Sequence, residues 1–304
     1  MPDVAFLFPG QGSQHAAMGA AVLQDPEIAA LADRCSAAAG LDLRRLLTEA
    51  DDEELRLTTN AQPALLFMGV ALARLLAREG VRPGAAAGHS VGEYTALCVA
   101  GALAPEAAVR IVAERGRAMA EAAPPGTSSM AAVLGLPVET VEASVSGAPG
   151  VWPANYNTPT QTVIGGTAAG LERAGALLRE AGARRVLPLN VAAAFHTPLM
   201  ESAAGVLRAT LDAAAWQPPA VPVVANLTAE PYGDAGEIPC ILLRQLSSPV
   251  RWADCVRRLC ALGCDRFVEV GPKRALTGMM RELAPDATAS AVSDPAAARA
   301  LQHT

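Results

Sequence analysis

Residues 85–94 read AAAGHSVGEY, a serine set between two glycines directly after a run of small apolar residues. Gly88-His89-Ser90-Val91-Gly92 matches G-x-S-x-G, the pattern of a strand that turns sharply into a helix with the serine at its apex and the glycines relieving the crowding. A buried strand feeding a helix in this way belongs to an α/β fold built on a mainly parallel sheet. The motif alone leaves Ser90 with two readings, a nucleophile or one more turn serine.

The flanking sequence supplies the strand and helix alternation that the turn requires. VAFLFPG (4–10) is a short apolar run stopped by proline and glycine, as in a buried parallel strand. In AQPALLFMGVALARLLAREG (61–80), Leu65, Met68, Leu72, Leu75 and Leu76 recur at helical spacing, and Gly80 ends the run. Helices are predicted from Val91 to about Ala100 and from about Pro105 to Ala122. The texture changes at EAAPPGTSSM (121–130), after which the signals run strand, helix (138–146), strand-turn-strand (WPANYNTPTQTVIGG), helix (168–181), strand (RRVLPLNV). That βαββαβ order fits a ferredoxin-like unit. The predicted organisation is a catalytic α/β domain over residues 1–125 and 197–304 with a ferredoxin-like insert over 126–196. RFVEVGPKRAL (266–276) supplies a late strand and turn, TEADDEELR (48–56) a solvated charge run, and SDPAAARALQHT a closing helix or tail.

Composition narrows the function classes. Half of the 304 residues are hydrophobic (51%) and only 18% are charged, which suits a globular chain. A net charge of −6, with Lys273 the single lysine, gives no basic stripe for nucleic acid. The N-terminus carries Asp3 and breaks at Pro9 and Gly10, unlike a signal peptide, and no uncharged apolar run reaches the roughly 18 residues of a membrane span. A cytoplasmic location is therefore expected, with neither nucleic acid nor membrane as partner. Six cysteines (Cys35, Cys98, Cys240, Cys255, Cys260, Cys264) show no CxxC pair and no histidine at ligand spacing, so buried free thiols are expected and no metal site.

A nucleophilic serine needs a base, and the chain has four histidines. His89 adjoins Ser90 and should leave the backbone in another direction; His303 is almost at the C-terminus; His15 sits in the Gly-rich loop after the first strand. His196 remains, where the chain re-enters the large domain. In the helix near 105–122, Ala108, Ile111, Val112, Met119 and Ala122 form an apolar stripe that contains Arg115, while Arg110, Glu114, Arg117 and Glu121 take the opposite face. A desolvated guanidinium requires an anionic or strongly polar partner. Two partners fit, an internal carboxylate such as Glu93 or a carboxylate on the substrate held bidentately.

Seven blocks occur in a particular order: FPGQGSQ (8–14), GHSVGEY (88–94), ERGRAM (114–119), NYNTPTQTVIGG (155–166), AAFHTPLM (193–200), RQLSSPVRW (244–252) and EVGP (269–272). In these blocks the chain closely resembles the malonyl-CoA:acyl carrier protein transacylases over nearly its whole length. The resemblance implies an α/β-hydrolase-like domain with a ferredoxin-like insert and an acyltransferase of fatty acid or polyketide synthesis; a free-standing monomer is expected. It implies Ser90 as nucleophile, His196 as general base and acid, Arg115 as the seat of the malonyl carboxylate, and the backbone N–H groups of Gln11 and Val91 as the oxyanion hole. It places His89, Asn157, Phe195 and Gln245 in the pocket, Gln245 being in the block that orients the histidine, largely through backbone carbonyls, without an acidic third member.

Malonyl-CoA is then the expected substrate and acyl carrier protein the expected partner, with no metal or redox cofactor. Hydrolytic relatives that clear carrier proteins tend to lack the arginine that this chain keeps at Arg115. Phe195 before His196, and Val91 after Ser90, match the malonyl rather than the methylmalonyl members, while the small Ala193 and Ala194 leave a larger 2-substituted extender as the alternative. Carrier proteins are acidic, so Arg184, Arg185, Arg257, Arg258, Lys273 and Arg274 are candidates for a docking face.

Overall fold

In the computed structural model, which describes residues 3–124 and 126–301, every strand is short and the longest helix is buried. His303 lies outside the described residues. Strand β1 (Val4–Phe8) is followed by helices α1 (Pro26–Ala39), α2 (Leu43–Thr48), α3 (Asp52–Arg56) and α4 (Thr58–Arg78), then by β2 (Ala85–Gly88), α5 (Val91–Val99) and α6 (Pro105–Glu121). A second group comprises β3 (Ser128–Leu134), α7 (Val138–Ser146), β4 (Val151–Thr158), β5 (Gln161–Thr167), α8 (Ala168–Glu180) and β6 (Arg185–Pro188). The chain continues through α9 (Glu201–Asp212), β7 (Val223–Val224), α10 (Ile238–Leu246), α11 (Trp252–Ala261), β8 (Arg266–Val270), α12 (Met280–Leu283), β9 (Thr288–Val292) and α13 (Pro295–Leu301).

The first sheet has the order β7-β2-β1-β8-β9 and all its pairings are parallel. β1 and β2 lie inside it, so both read as unbroken apolar runs, as strands covered on both faces must. The second sheet is antiparallel with the order β4-β5-β3-β6, so that β3 lies between the β4–β5 hairpin and the last strand β6, as in a ferredoxin-like unit. Helix α4 is long and apolar enough to cross a membrane, yet it is buried along most of its length among α5, α6 and the first sheet, which makes it the core helix.

Most sequence expectations hold to within a residue or two, and the departures have local causes. The strand expected over 184–191 is shorter, Arg185–Pro188, with one further ladder bond from the Leu189 N–H to the Met130 carbonyl at 2.9 Å. β7 and β9 had no sequence signal, β7 because it has two residues and β9 because TASAV lies on the sheet edge, half exposed and without an apolar run. The acidic run is the exposed helix α3, with the Asp51 carboxylate accepting from the Glu54 N–H. All six cysteines are free, but Cys240 is exposed and Cys260 half-buried, so the expectation of burial fails for those two.

The turn at Ser90 forces the closest backbone approach. A Cβ on Gly88 would lie 1.9 Å from the Gly92 carbonyl carbon, and one on Gly92 would lie 2.1 Å from the Phe8 carbonyl oxygen. Both obstacles are backbone, which cannot rotate aside. Gly92→Ala is therefore expected to cost roughly 3 kcal/mol or more of folding stability, above the usual penalty for overpacking a core. The shift in urea unfolding midpoint at constant m-value measures it.

Candidate active site

Ser90 caps α5 with φ 54° and ψ −110°, a left-handed conformation that a side chain rarely adopts. Asn226 holds it there. The Ser90 N–H donates to Asn226 Oδ1 at 2.8 Å, and Asn226 Nδ2 donates to the Gly88 carbonyl at 2.7 Å. His196, in the loop before the turn at Pro198, also has positive φ, 60°. Such strain persists only where the surroundings over-determine the backbone, and it clusters at functional sites.

Ser90 Oγ and His196 Nε2 are 2.6 Å apart, and His196 Nδ1 is 2.9 Å from the Gln245 carbonyl oxygen. A carbonyl only accepts, so Nδ1 carries the proton and Nε2 presents its lone pair to the serine hydroxyl. No carboxylate touches the ring among the described residues, so the serine and histidine form a dyad oriented by a backbone carbonyl. Burial, reinforced by the positive Arg115, pushes His196 down to about 3 from its ordinary 6.5, so the ring is neutral and its Nε2 lone pair is unprotonated.

Arg115 is buried on α6 and ion-pairs with no carboxylate among the described residues. Its Nη1 donates to Gln62 Oε1 at 2.7 Å, and its Nη2 donates to Gln245 Oε1 at 3.0 Å and to Ser90 Oγ at 3.1 Å. The guanidinium carbon lies 5.4 Å from the centre of the Tyr94 ring. Glu93, the internal partner weighed for Arg115, instead accepts from Gln245 Nε2 at 2.6 Å, from the Tyr232 hydroxyl and from the Asn226 N–H. Arginine and glutamate are thus separated by one amide.

A cavity of about 310 Å³ opens above the dyad, between the two sheets. Gln11, His89, Ser90, Val91, Asn157, Phe195 and His196 line it. Gln245, expected in the pocket, does not line it: its side chain is turned to Glu93 and Arg115, and it stands with Arg115 one layer behind Ser90 and Gln62. The half-buried His89 ring packs against Trp252, desolvation lowers its pKa, and its Nε2–H donates to Asn157 Oδ1 at 3.0 Å. That bond turns His89 away from the serine, as its adjacency to Ser90 suggested. The backbone N–H groups of Gln11 and Val91 have no acceptor among the described residues, and Val91 heads a helix whose dipole is positive at that end. The Gln11 side chain is anchored elsewhere, on the Arg56 carbonyl and Thr58 Oγ1. Met130, Val163, Leu189 and Val191 complete the apolar wall. Ala193 and Ala194 are buried outside it, Ala194 against Gly165, and so do not widen the cavity.

Sequence reading missed Gln62, Asn226 and Tyr232. No motif surrounds Asn226, and its partnership with Ser90 spans 136 residues of chain. The assembled site can activate a hydroxyl, hold a negative oxygen on two amides, and offer a buried cation beside that hydroxyl.

The acyl transferase domain family model matches residues 5–298. A malonyl CoA-acyl carrier protein transacylase of Bacillus subtilis (strain 168) is 41% identical over 300 residues, covering 97% of this chain and 95% of that one. The crystal structure of an acyl-carrier-protein S-malonyltransferase from Burkholderia pseudomallei 1710b superposes with a TM-score of 0.95 at 38% identity, covering 99% of this chain and 100% of that one. A type II PKS acyl-carrier protein in complex with its malonyl-transacylase gives a TM-score of 0.95 at 37% identity, with 99% of both chains covered.

Because its folded pKa lies far below the ordinary value, His196 stays unprotonated as pH falls through 6.5. Phosphonylation of Ser90 by an uncharged serine-directed phosphonate should therefore change by less than about twofold between about pH 8 and about pH 5, since the free enzyme's base does not titrate there. A rate that halves near 6.5 in quenched-flow mass spectrometry contradicts this.

Proposed function

The chain belongs to the malonyl CoA-acyl carrier protein transacylase family, and from that premise we propose that it carries malonyl groups from malonyl-CoA to the phosphopantetheine thiol of acyl carrier protein through an acyl-serine. The observation that carries this reading is the Ser90–His196 dyad with the buried Arg115 guanidinium in contact with Ser90 Oγ.

Ser90 Oγ attacks the thioester carbonyl while its proton passes to His196 Nε2. The oxyanion is held by the N–H groups of Gln11 and Val91. The C–S bond breaks, and the leaving coenzyme A thiolate takes the proton from His196. In the second half, the carrier thiol gives its proton to His196 and attacks the ester, and the returning proton restores the Ser90 hydroxyl. Thioester, ester and thioester lie close in free energy, so this route calls on no metal or redox cofactor. Every protein group it uses comes from this one chain, which supports a monomeric enzyme, and we propose the cytoplasm as its location.

The substrate carboxylate is assigned to Arg115, which it reaches by replacing Gln62 Oε1 or Ser90 Oγ on the guanidinium. The intact arginine also disfavours the carrier-editing hydrolase. Among the basic candidates for carrier docking, Arg257 and Arg258 are already paired with Asp254 and Glu230, and Arg184 and Arg185 are exposed at the start of β6. Lys273 and Arg274 are exposed immediately before Ala275 and Leu276 at the cavity, which favours them as the docking face.

Arg115→Ala should lower malonyl transfer steeply, since losing a charge-assisted contact to a buried carboxylate costs about 2–5 kcal/mol, while acetyl transfer holds or rises. Carrier-protein masses after parallel incubation with each coenzyme A thioester give the two rates. A parallel fall in both makes Arg115 structural.

The Phe195 ring on the cavity wall takes the space of a 2-methyl branch. Malonyl-CoA should therefore be preferred over methylmalonyl-CoA by roughly 10- to 200-fold in kcat/KM, the worth of one methyl group, and Phe195→Ser should narrow the ratio. Competition between equal concentrations of the two, read as carrier-protein masses, tests it; equal use by the unmutated protein removes Phe195 as the gate.

A further inference from the structure

The carboxylate of Glu93 is fully buried one residue beyond the G-x-S-x-G motif, and the acyl-transfer route does not use it. Its neighbour in the polar network, the Gln245 side-chain amide, makes three bonds. Nε2 donates to Glu93 Oε2 at 2.6 Å and to the Ser90 carbonyl at 3.0 Å, and Oε1 accepts from Arg115 Nη2 at 3.0 Å. The opposite amide orientation would set Oε1 against a carboxylate and a carbonyl, and Nε2 against a guanidinium. Glu93 therefore helps decide which end of Gln245 faces Arg115.

We infer that Glu93 is a positioning residue for acyl-group selection, acting through the Gln245 amide to hold Arg115 against Ser90, where a substrate carboxylate can displace the neutral acceptors on its guanidinium. The inference rests on the assignment of the malonyl carboxylate to Arg115. A carboxylate in direct contact with the guanidinium would satisfy the buried charge but would occupy the fork and compete with substrate. One amide between them passes on the polarity, because donation to a carboxylate makes the amide oxygen a stronger acceptor, and it leaves neutral acceptors, Gln62 Oε1 and Ser90 Oγ, at the positions an incoming carboxylate can take over.

A purely structural role for Glu93 makes a different demand. Glu93 also accepts from the Asn226 N–H, and Asn226 secures the Ser90 turn, so loss of that support alone would slow every acyl donor alike. The ratio of malonyl to acetyl loading separates the two roles.

The experiment measures acyl-Ser90 formation from malonyl-CoA and from acetyl-CoA by quenched-flow intact mass, with a thermal melt of each variant. Glu93→Gln is nearly isosteric and removes the charge. Malonyl loading should fall about tenfold, the worth of one bond to a charged group, with acetyl loading within about twofold. In the Gln245→Ala background, Glu93→Gln should leave the ratio unchanged. Equal losses for both donors, or effects of Glu93→Gln and Gln245→Ala that multiply, overturn the inference. If the melt shows Glu93→Gln unfolded, Gln245→Ala alone decides: a lowered malonyl-to-acetyl ratio supports the relay and an unchanged ratio overturns it. Absence of malonyl loading by the unmutated protein with acetyl loading intact would instead defeat the substrate assignment.

Discussion

Burying a guanidinium without a carboxylate at its side is the constraint around which this molecule is arranged. Arg115 sits in the apolar stripe of α6, where desolvation alone would cost several kcal/mol. The surrounding chain meets that cost with oriented dipoles rather than with a counterion: Gln62 from α4, Gln245 from α10, the Ser90 hydroxyl at the head of α5, and the face of the Tyr94 ring. Four helices are committed to one charge, so their packing cannot shift independently.

The same charge shapes the dyad. Desolvation and Arg115 together keep His196 neutral, and the Gln245 carbonyl, with no carboxylate behind it, fixes which ring nitrogen faces Ser90. Gln245 thereby serves both halves of the site, its backbone oxygen aligning the histidine and its side chain aligning the arginine. Glu93 completes the arrangement from below. Its burial raises it to about 7, despite donors from Tyr232, Gln245 and Asn226, which marks the low polarity of the region.

Much of the fold was legible because its signals are local. A buried parallel strand must be apolar throughout, as in VAFLF and AAAG, and a half-buried helix must repeat its apolar residues at helical spacing, as α6 does. The βαββαβ order of the second sheet followed from the same reasoning. β7 and β9 escaped it, since a two-residue strand has no period and an edge strand with half-exposed small residues has no hydrophobic contrast.

The candidate site divides along the same line. The sequence by itself determined that Ser90 stands on a tight turn, that Arg115 is a charge in an apolar stripe, and that His196 is the histidine left for a base, because glycine placement, helical period and a count of four histidines are properties of short stretches. Only the tertiary structure decided that Glu93 does not pair with Arg115, that Gln245 stands between them, and that Asn226 holds the serine in its strained conformation. Those contacts join residues 130–155 positions apart, and hydrogen bonding across such separations is set by how the helices pack around the sheet.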